Sequence, residues 1–247
     1  MGEAFGRWRI GDTDDAALMP LISSANIAAG FHGGDPNLMD ETVRLAVSHG
    51  VGVGAHPGYS DLQGFGRRKI AGTGKELVND IIYQVGALKE FAHRHGTRLQ
   101  HVKPHGALYM EMAVNPELSR IFVEYMRTVQ PNAFIFCMDG SATWQAAQAA
   151  GQPVIREFYA DRDYDDSGSI VFTRNAGRPD PKQIAQKVVR ACTEGKVRTI
   201  TGNEIDIAFE SICFHSDTLG AFEIASRMRE ALKTAGIRVA PVSTIVT

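Results

Sequence analysis

The chain predicts an α/β protein built on parallel strands, and three observations carry that prediction. Short apolar runs that read as strands alternate with longer runs of helical periodicity along the whole length. Six of the strand-like runs stop at a charged or imidazole residue: His32, His56, Lys103 with His105, Asp139, Glu157 with Asp161, and His215 with Asp217. No Gly-x-Gly-x-x-Gly follows the first strand and no Gly-x-x-x-x-Gly-Lys-Ser/Thr occurs, so the phosphate-cradling loops of open-sheet nucleotide binders are absent. The alternation fits a (β/α) barrel of about seven or eight strands or an open doubly wound sheet. Polar strand ends spread along the chain suit a barrel mouth better than a single crevice.

The elements follow in order. Ala25 to Ala29 reads as a strand, then Asp35 as a helix cap and Pro36 as the first helical residue. The helix carries Leu38, Met39, Val43, Ala46 and Val47 on one face and stops at Gly50. Val51 to Ala55 is the next strand, followed by a glycine-rich loop from His56 to Arg68. A long helix has Leu77, Val78, Ile81, Ile82, Val85, Leu88 and Phe91 as its stripe and ends near Gly96. Leu99 to Lys103 is a strand, Leu118 to Val129 a helix, and Phe134 to Met138 a strand. Ser141 caps a helix that Gly151 ends, and Val154 to Phe158 is the next strand. Asp161 to Pro181 is polar and reads as a surface excursion or lid. Ile184 to Cys192 is helical, Ser211 to Phe214 a strand, and Thr218 to Ala235 a helix stopped by Gly236. Ile237 to Ala240 reads as a closing strand or edge. No linker or repeat divides the chain, so one domain over 1–247 is expected.

Composition narrows the function classes. Hydrophobic residues make up 44%, enough for a substantial core. A net charge of -2 gives no basic surplus for nucleic acid. No apolar run approaches membrane-spanning length, and no leader-like opening is present, which predicts no membrane contact. Cys137, Cys192 and Cys213 lie far apart in apolar surroundings, as expected of reduced thiols in a cytoplasmic protein.

The candidate chemistry lies at the strand ends. His32, in Gly30-Phe31-His32-Gly33-Gly34-Asp35, can ligate a metal, move a proton or donate to a carbonyl; Asp35 is a cap or a binding residue. His56 sits in Gly54-Ala55-His56-Pro57-Gly58-Tyr59, where small residues let neighbouring groups approach. Asp61 and the pair Arg67-Arg68 follow; the guanidinium forks suit a carboxylate or phosphate, or a basic turn pairing with Asp61. Lys103-Pro104-His105-Gly106-Ala107-Leu108-Tyr109 is the densest cluster, offering a cation, a titratable base and a phenol. Lys103 ends an apolar strand and calls for a carboxylate or an anionic substrate. Glu157 is a candidate base or a partner for Lys103. Asp161, Arg162, His215 and Asp217 are further binding candidates, Asp217 doubling as a helix cap. His32 and His56, with a carboxylate from another strand, could hold a divalent metal. No Gly-x-Ser-x-Gly elbow, polar-loop cysteine or His-Glu-x-x-His occurs, which argues against serine and thiol hydrolases and zincins.

Taken together, the run from Ser24 to Pro36, the segment Gly54 to Tyr59 with Asp61 and Gly64-Phe65-Gly66-Arg67-Arg68, and Lys103 to Tyr109 resemble the LamB/YcsF family. Glu157 to Arg162 and Ile212 to Asp217 look like its later motifs. The family includes one component of the ATP-dependent prokaryotic 5-oxoprolinase. The resemblance implies a (β/α)7-type, TIM-like barrel of the glycoside hydrolase and deacetylase kind. It implies a cytoplasmic enzyme component that opens the lactam of 5-oxo-L-proline to L-glutamate. ATP is then used by the complex and bound mainly by the partner subunits B and C. Lys103 and His105 would polarise the lactam and transfer protons, with Glu157 as an alternative base and His32 and His56 orienting water or holding a metal. Arg67 or Arg68 would grip the substrate carboxylate, with Asp35, Asp61, Tyr109, Asp161, Arg162, His215 and Asp217 completing the binding ring. A metal-dependent amidase without ATP, or a non-catalytic partner in a complex, are the alternatives. The family usually opens with Asp-Leu-Asn-x-Asp-x-Gly-Glu, of which only Gly2-Glu3 stands here, so the first strand is expected to be cut short and its metal-binding carboxylate lost. Ala29 replaces a frequent Cys, which predicts no thiol role there.

Overall fold

Parallel pairing of successive strands organises the chain, as the alternation predicts. The computed structural model describes residues 1–171 and 177–245. It divides into two compact units, Met1–Ile10 with Ser24–Ile155, and Gly11–Ser23 with Arg156–Thr247. The first helix, α1 (Asp15–Leu18), capped by Asp14, belongs to the second unit.

The first unit runs β1 (Ser24–Ala28), α2 (Pro36–Ser48), β2 (Gly52–His56), α3 (Gly74–Arg94), β3 (His101–Val102), α4 (Gly106–Val114), α5 (Pro116–Val129), β4 (Phe134–Cys137) and α6 (Ala142–Ala150). Strands β1 to β4 pair in parallel in chain order. Ala28 lies opposite His56 and Ala55 opposite Val102, so three carboxyl ends and the loops leaving them stand side by side. Ile27, Ala55, Val102 and Ile135 are fully buried between these strands and Val43, Ile81, Val85, Leu88 and Phe122 of the helices. Strands buried on both faces need such continuous apolar runs. Asp35 caps α2 by accepting from the amides of Asn37 and Leu38, with Pro36 first in the helix. Thr73 and Glu76 form a capping box on α3, and Ser141 caps α6, which ends in left-handed Gly151.

The second unit continues β5 (Val154–Tyr159), which begins in the first, and adds α7 (Pro181–Glu194), β6 (Lys196–Arg198), β7 (Glu204–Asp206), β8 (Ser211–Cys213) and α8 (Ala221–Thr234). Strand β5 pairs in parallel with β8, and β6 with β7 in an antiparallel hairpin. Among the described residues no helix is long and apolar enough to cross a membrane. The three cysteines are free thiols; Cys137 and Cys213 are buried and Cys192 half-buried.

Several expectations are corrected. Residues 237–240 form no strand. Helix α8 starts at Ala221, because Thr218 to Gly220 make a turn ending in Gly220 at φ 77°. Val47 and Ile82 are exposed, lying beyond the buried arc of their helices. Strand β3 is two residues long, although Gln100 still bonds main chain to main chain with Val53 and Phe134. Within the segment read as a surface excursion or lid, Tyr164 and Ile170 are buried and bridge each other, so that part is packed; residues 172–176 of the segment lie outside the described residues. No strand precedes β1 among the described residues, in keeping with the shortened opening, although the Met1 carbonyl accepts from the Ala28 amide.

Candidate functional site

The first unit gathers three imidazoles and one carboxylate. His56 closes β2, His105 precedes the first residue of α4, and His32 lies in the loop after β1. All three are buried. The fourth member is Glu3, which no sequence motif singled out; the opposing atoms of Glu3, His32, His56 and His105 lie within 4.8 Å of one another. The Gly2-Glu3 remnant of the family opening is the signal for it: the metal-binding carboxylate is expected among the acidic residues that precede this pair in the family, but the cluster takes Glu3 itself.

The proton positions follow from the neighbours. His56 Nδ1 lies 2.7 Å from the Lys103 carbonyl, and His105 Nε2 lies 2.8 Å from the Phe65 carbonyl. A carbonyl only accepts, so each of those nitrogens carries the hydrogen. The remaining nitrogens, His56 Nε2 and His105 Nδ1, then face each other as lone pairs across 3.1 Å. His32 stacks on His105 at 3.7 Å between ring centroids and 3° between planes. Neither His32 nitrogen is hydrogen-bonded; Nε2 stands 3.5 Å from Glu3 Oε1, which is also 3.8 Å from His105 Nδ1. Burial lowers the pKa of all three rings, strongly for His56 and His105, and keeps them neutral. Burial works against the Glu3 carboxylate, but the chain-terminal ammonium beside it holds it well below the usual range. A buried set of inward lone pairs around an ionised carboxylate fits a divalent cation, because such a cation supplies the acceptor that these lone pairs lack.

Glycines make room for these rings. A Cβ at Gly58 would come within 2.7 Å of His32 Nδ1, and one at Gly66 (φ 61°) within 2.8 Å of both His105 and His32. Behind them His101 is fully buried, its Nε2 2.8 Å from Asn26 Oδ1, and a Cβ at Gly54 would come within 1.9 Å of its ring. Lys103 is buried with its ammonium 5.8 Å from the centroid of the buried Tyr109 ring. Arg67 lies over Phe65 at 5.2 Å. Arg68 closes on Asp61, whose carboxylate also accepts from the Gly64 amide. Asp35 is occupied by three amides, those of Asn37, Leu38 and Gly6.

The second unit brings Asp161, Arg162 and His215 together. Asp161 accepts from His215 Nδ1 at 2.9 Å, the His215 amide at 3.1 Å, Thr218 Oγ1 at 2.7 Å and Arg162 at 3.0 Å. Burial alone would raise its pKa; His215, Arg162 and Thr218 hold it far below the ordinary carboxylate range. Lys187 fastens this corner to the carbonyls of Tyr159, Ala160 and Arg162, and burial brings its pKa down to about 8. Glu157 is buried and accepts from the Tyr159 hydroxyl at 3.0 Å, while Asp217 is half-buried in the turn before α8.

Residues 1–247 match the LamB/YcsF family. The chain is 60% identical over 239 residues to the first 5-oxoprolinase A-subunit of Pseudomonas aeruginosa, covering 97% of this chain and 95% of that protein. It is 44% identical over 246 residues to the 5-oxoprolinase A-subunit of Natranaerobius thermophilus, covering 99% and 95%. The crystal structure of the lactam utilization protein from Thermus thermophilus superposes with a TM-score of 0.88 at 38% identity, covering 97% of this chain and 96% of that one. The fold class is therefore the TIM-like α/β class that the sequence predicts.

Proposed function

The chain belongs to the LamB/YcsF family, and on that basis we propose that it acts as the A-subunit of a cytoplasmic, ATP-dependent 5-oxoprolinase. With partner subunits B and C it would open 5-oxo-L-proline to L-glutamate, the partners binding ATP and activating the lactam. The observation that carries the reading is the cluster of Glu3, His32, His56 and His105 in a chain this similar to proteins of that name. Opening an unstrained lactam needs a polarised carbonyl, a placed water and a proton for the departing nitrogen. Glu3, His32, His56 and His105 would hold a divalent ion, which when bound supplies Lewis-acid polarisation and lowers the pKa of water.

The chain's own groups prepare the rest. The Lys103 and Phe65 carbonyls fix which ring nitrogens point inward, the outer-shell role that sets ligand orientation. His105 Nε2 is held by the Phe65 carbonyl and its Nδ1 lone pair faces into the cluster, which favours a holding role over the proton transfer expected from sequence. Lys103, a buried cation at the end of β3, would neutralise an anionic group of the activated lactam. Arg67 would meet the substrate carboxylate; Arg68 and Asp61 satisfy each other and shape the loop.

Co-expression with subunits B and C, followed by glutamate release from 5-oxoproline, tests the reading. Release should require ATP and all three components. Lys103→Ala or His105→Ala should lower it by about a hundredfold or more with helical content unchanged. Normal turnover in both variants would overturn these assignments, and release without ATP or partners would favour a metal-dependent amidase.

A further inference from the structure

We infer that Asp161 and His215 form a proton-transfer pair, in which His215 Nε2 is the working nitrogen and Asp161 the positioning residue. The Asp161 side chain is completely buried, and its two oxygens meet four donors: the His215 ring and amide, Thr218 and Arg162. A carboxylate so surrounded stays ionised and can only accept. His215 Nδ1 must therefore carry its hydrogen toward Asp161, and the lone pair is confined to Nε2. That nitrogen has no hydrogen-bond partner among the described residues, and the His215 side chain is 24% exposed, open to solvent on one side. The Tyr159 ring packs alongside the imidazole at 6.1 Å and 24°, which restrains its rotation.

A purely structural role would make His215 one more anchor for the loop around Asp161. The bonds argue otherwise. The His215 amide, Thr218 and Arg162 already saturate Asp161 Oδ2. The imidazole gives Asp161 Oδ1 its donor, and the tautomer this fixes leaves Nε2 as a lone pair with no hydrogen-bond partner in a side chain that is 24% exposed. A carboxylate fixing the tautomer of a half-exposed imidazole is the arrangement that lets histidine carry a proton at one defined nitrogen.

The identity of the proton's source and destination rests on the ring-opening reading; the pair itself does not. Water adding to the lactam carbonyl carbon forms a C–O bond and releases a proton. The ring nitrogen takes up a proton as the C–N bond breaks. An imidazole so fixed can accept the first at Nε2 and donate the second, finishing as it began with its Nδ1 hydrogen directed at Asp161 throughout.

Two measurements test this. Nitrogen-15 spectra of the full chain at pH 8 should show His215 protonated at Nδ1 and bare at Nε2, with Asp161→Asn scrambling the two tautomers; an Nε2-protonated ring in the wild type would overturn the pair. In the assembled complex, His215→Ala should lower kcat for glutamate release by about a hundredfold or more while His215→Gln preserves the fold, and free imidazole should restore at least about tenfold of the loss. Unchanged turnover in His215→Ala, or a loss that imidazole never restores, would overturn the role. A wild-type complex that releases no glutamate would defeat the ring-opening reading, and the tautomer measurement would still decide the pair.

Discussion

The histidine cluster of the first unit and the Asp161 corner of the second use the same residue types to opposite effect. Around Asp161 every acceptor has its donor, and the carboxylate dictates where the His215 proton sits. Around Glu3 the lone pairs of His56 and His105 meet head on and both nitrogens of His32 lack hydrogen bonds. Buried polar groups are normally satisfied, and a native site that leaves several unmet is holding a place for something. The satisfied corner is finished architecture that presents one reactive atom; the unsatisfied cluster is architecture awaiting a ligand.

The contrast predicts opposite responses to truncation. Asp161→Ala leaves the buried Arg162 guanidinium without its compensating charge and the His215 amide without its acceptor, and should cost about 3–5 kcal/mol in urea unfolding. His32→Leu removes two unsatisfied nitrogens at similar volume, and in ion-free buffer should change stability by less than about 1 kcal/mol or raise it. Equal losses from both would erase the distinction. Gly54→Ala probes the packing that supports the cluster: the new methyl would meet the His101 ring, which has no room to move, and thermal unfolding should reveal a cost of about 1–3 kcal/mol. No measurable change would mean the ring is not held there.

Acid stability separates the regions further. His101 is brought down to about 3, by burial first and the Lys103 charge second. Between that value and about 6.5 the unfolded chain binds a proton that the folded chain refuses. Its contribution is complete above about pH 6.5 and should fall by up to about 1.4 kcal/mol per pH unit below it. Urea unfolding at pH 5 and pH 7.5 reads that slope, which His101→Leu should flatten. Smallest is Asp35→Ala, expected to cost about 1 kcal/mol through the lost cap and to leave KM for 5-oxoproline unchanged; a raised KM would return Asp35 to substrate binding.

Much of this was legible from residue order. Asp35-Pro36, Ser141 and Gly151 mark helix ends by local chemistry alone, and they stand where predicted. His32 and His56 were recognisable because an imidazole at the end of an apolar strand has few other uses. Other features depend on three-dimensional partners. Helix α4 begins at Gly106, directly inside the segment read as a reactive cluster, because Gly106 adopts φ 51° and turns the chain at once. The hairpin of β6 and β7 is three residues a side and largely polar, too short to show a period of two. Glu3 shows in the sequence only as part of the Gly2-Glu3 remnant, and folding alone brings it to three histidines far along the chain. The opposed lone pairs of His56 and His105 are set by main-chain carbonyls, which no side-chain motif records.

Metal content decides whether the unsatisfied cluster is a cation site. The full chain, purified without chelator and then dialysed against zinc, cobalt or manganese at pH 7.5, should retain about one divalent ion per chain. His56→Ala and His105→Ala, still folded, should retain none. Wild-type protein that holds no divalent ion under these conditions, or variants that hold as much as wild type, would show that the three imidazoles and Glu3 do not form one.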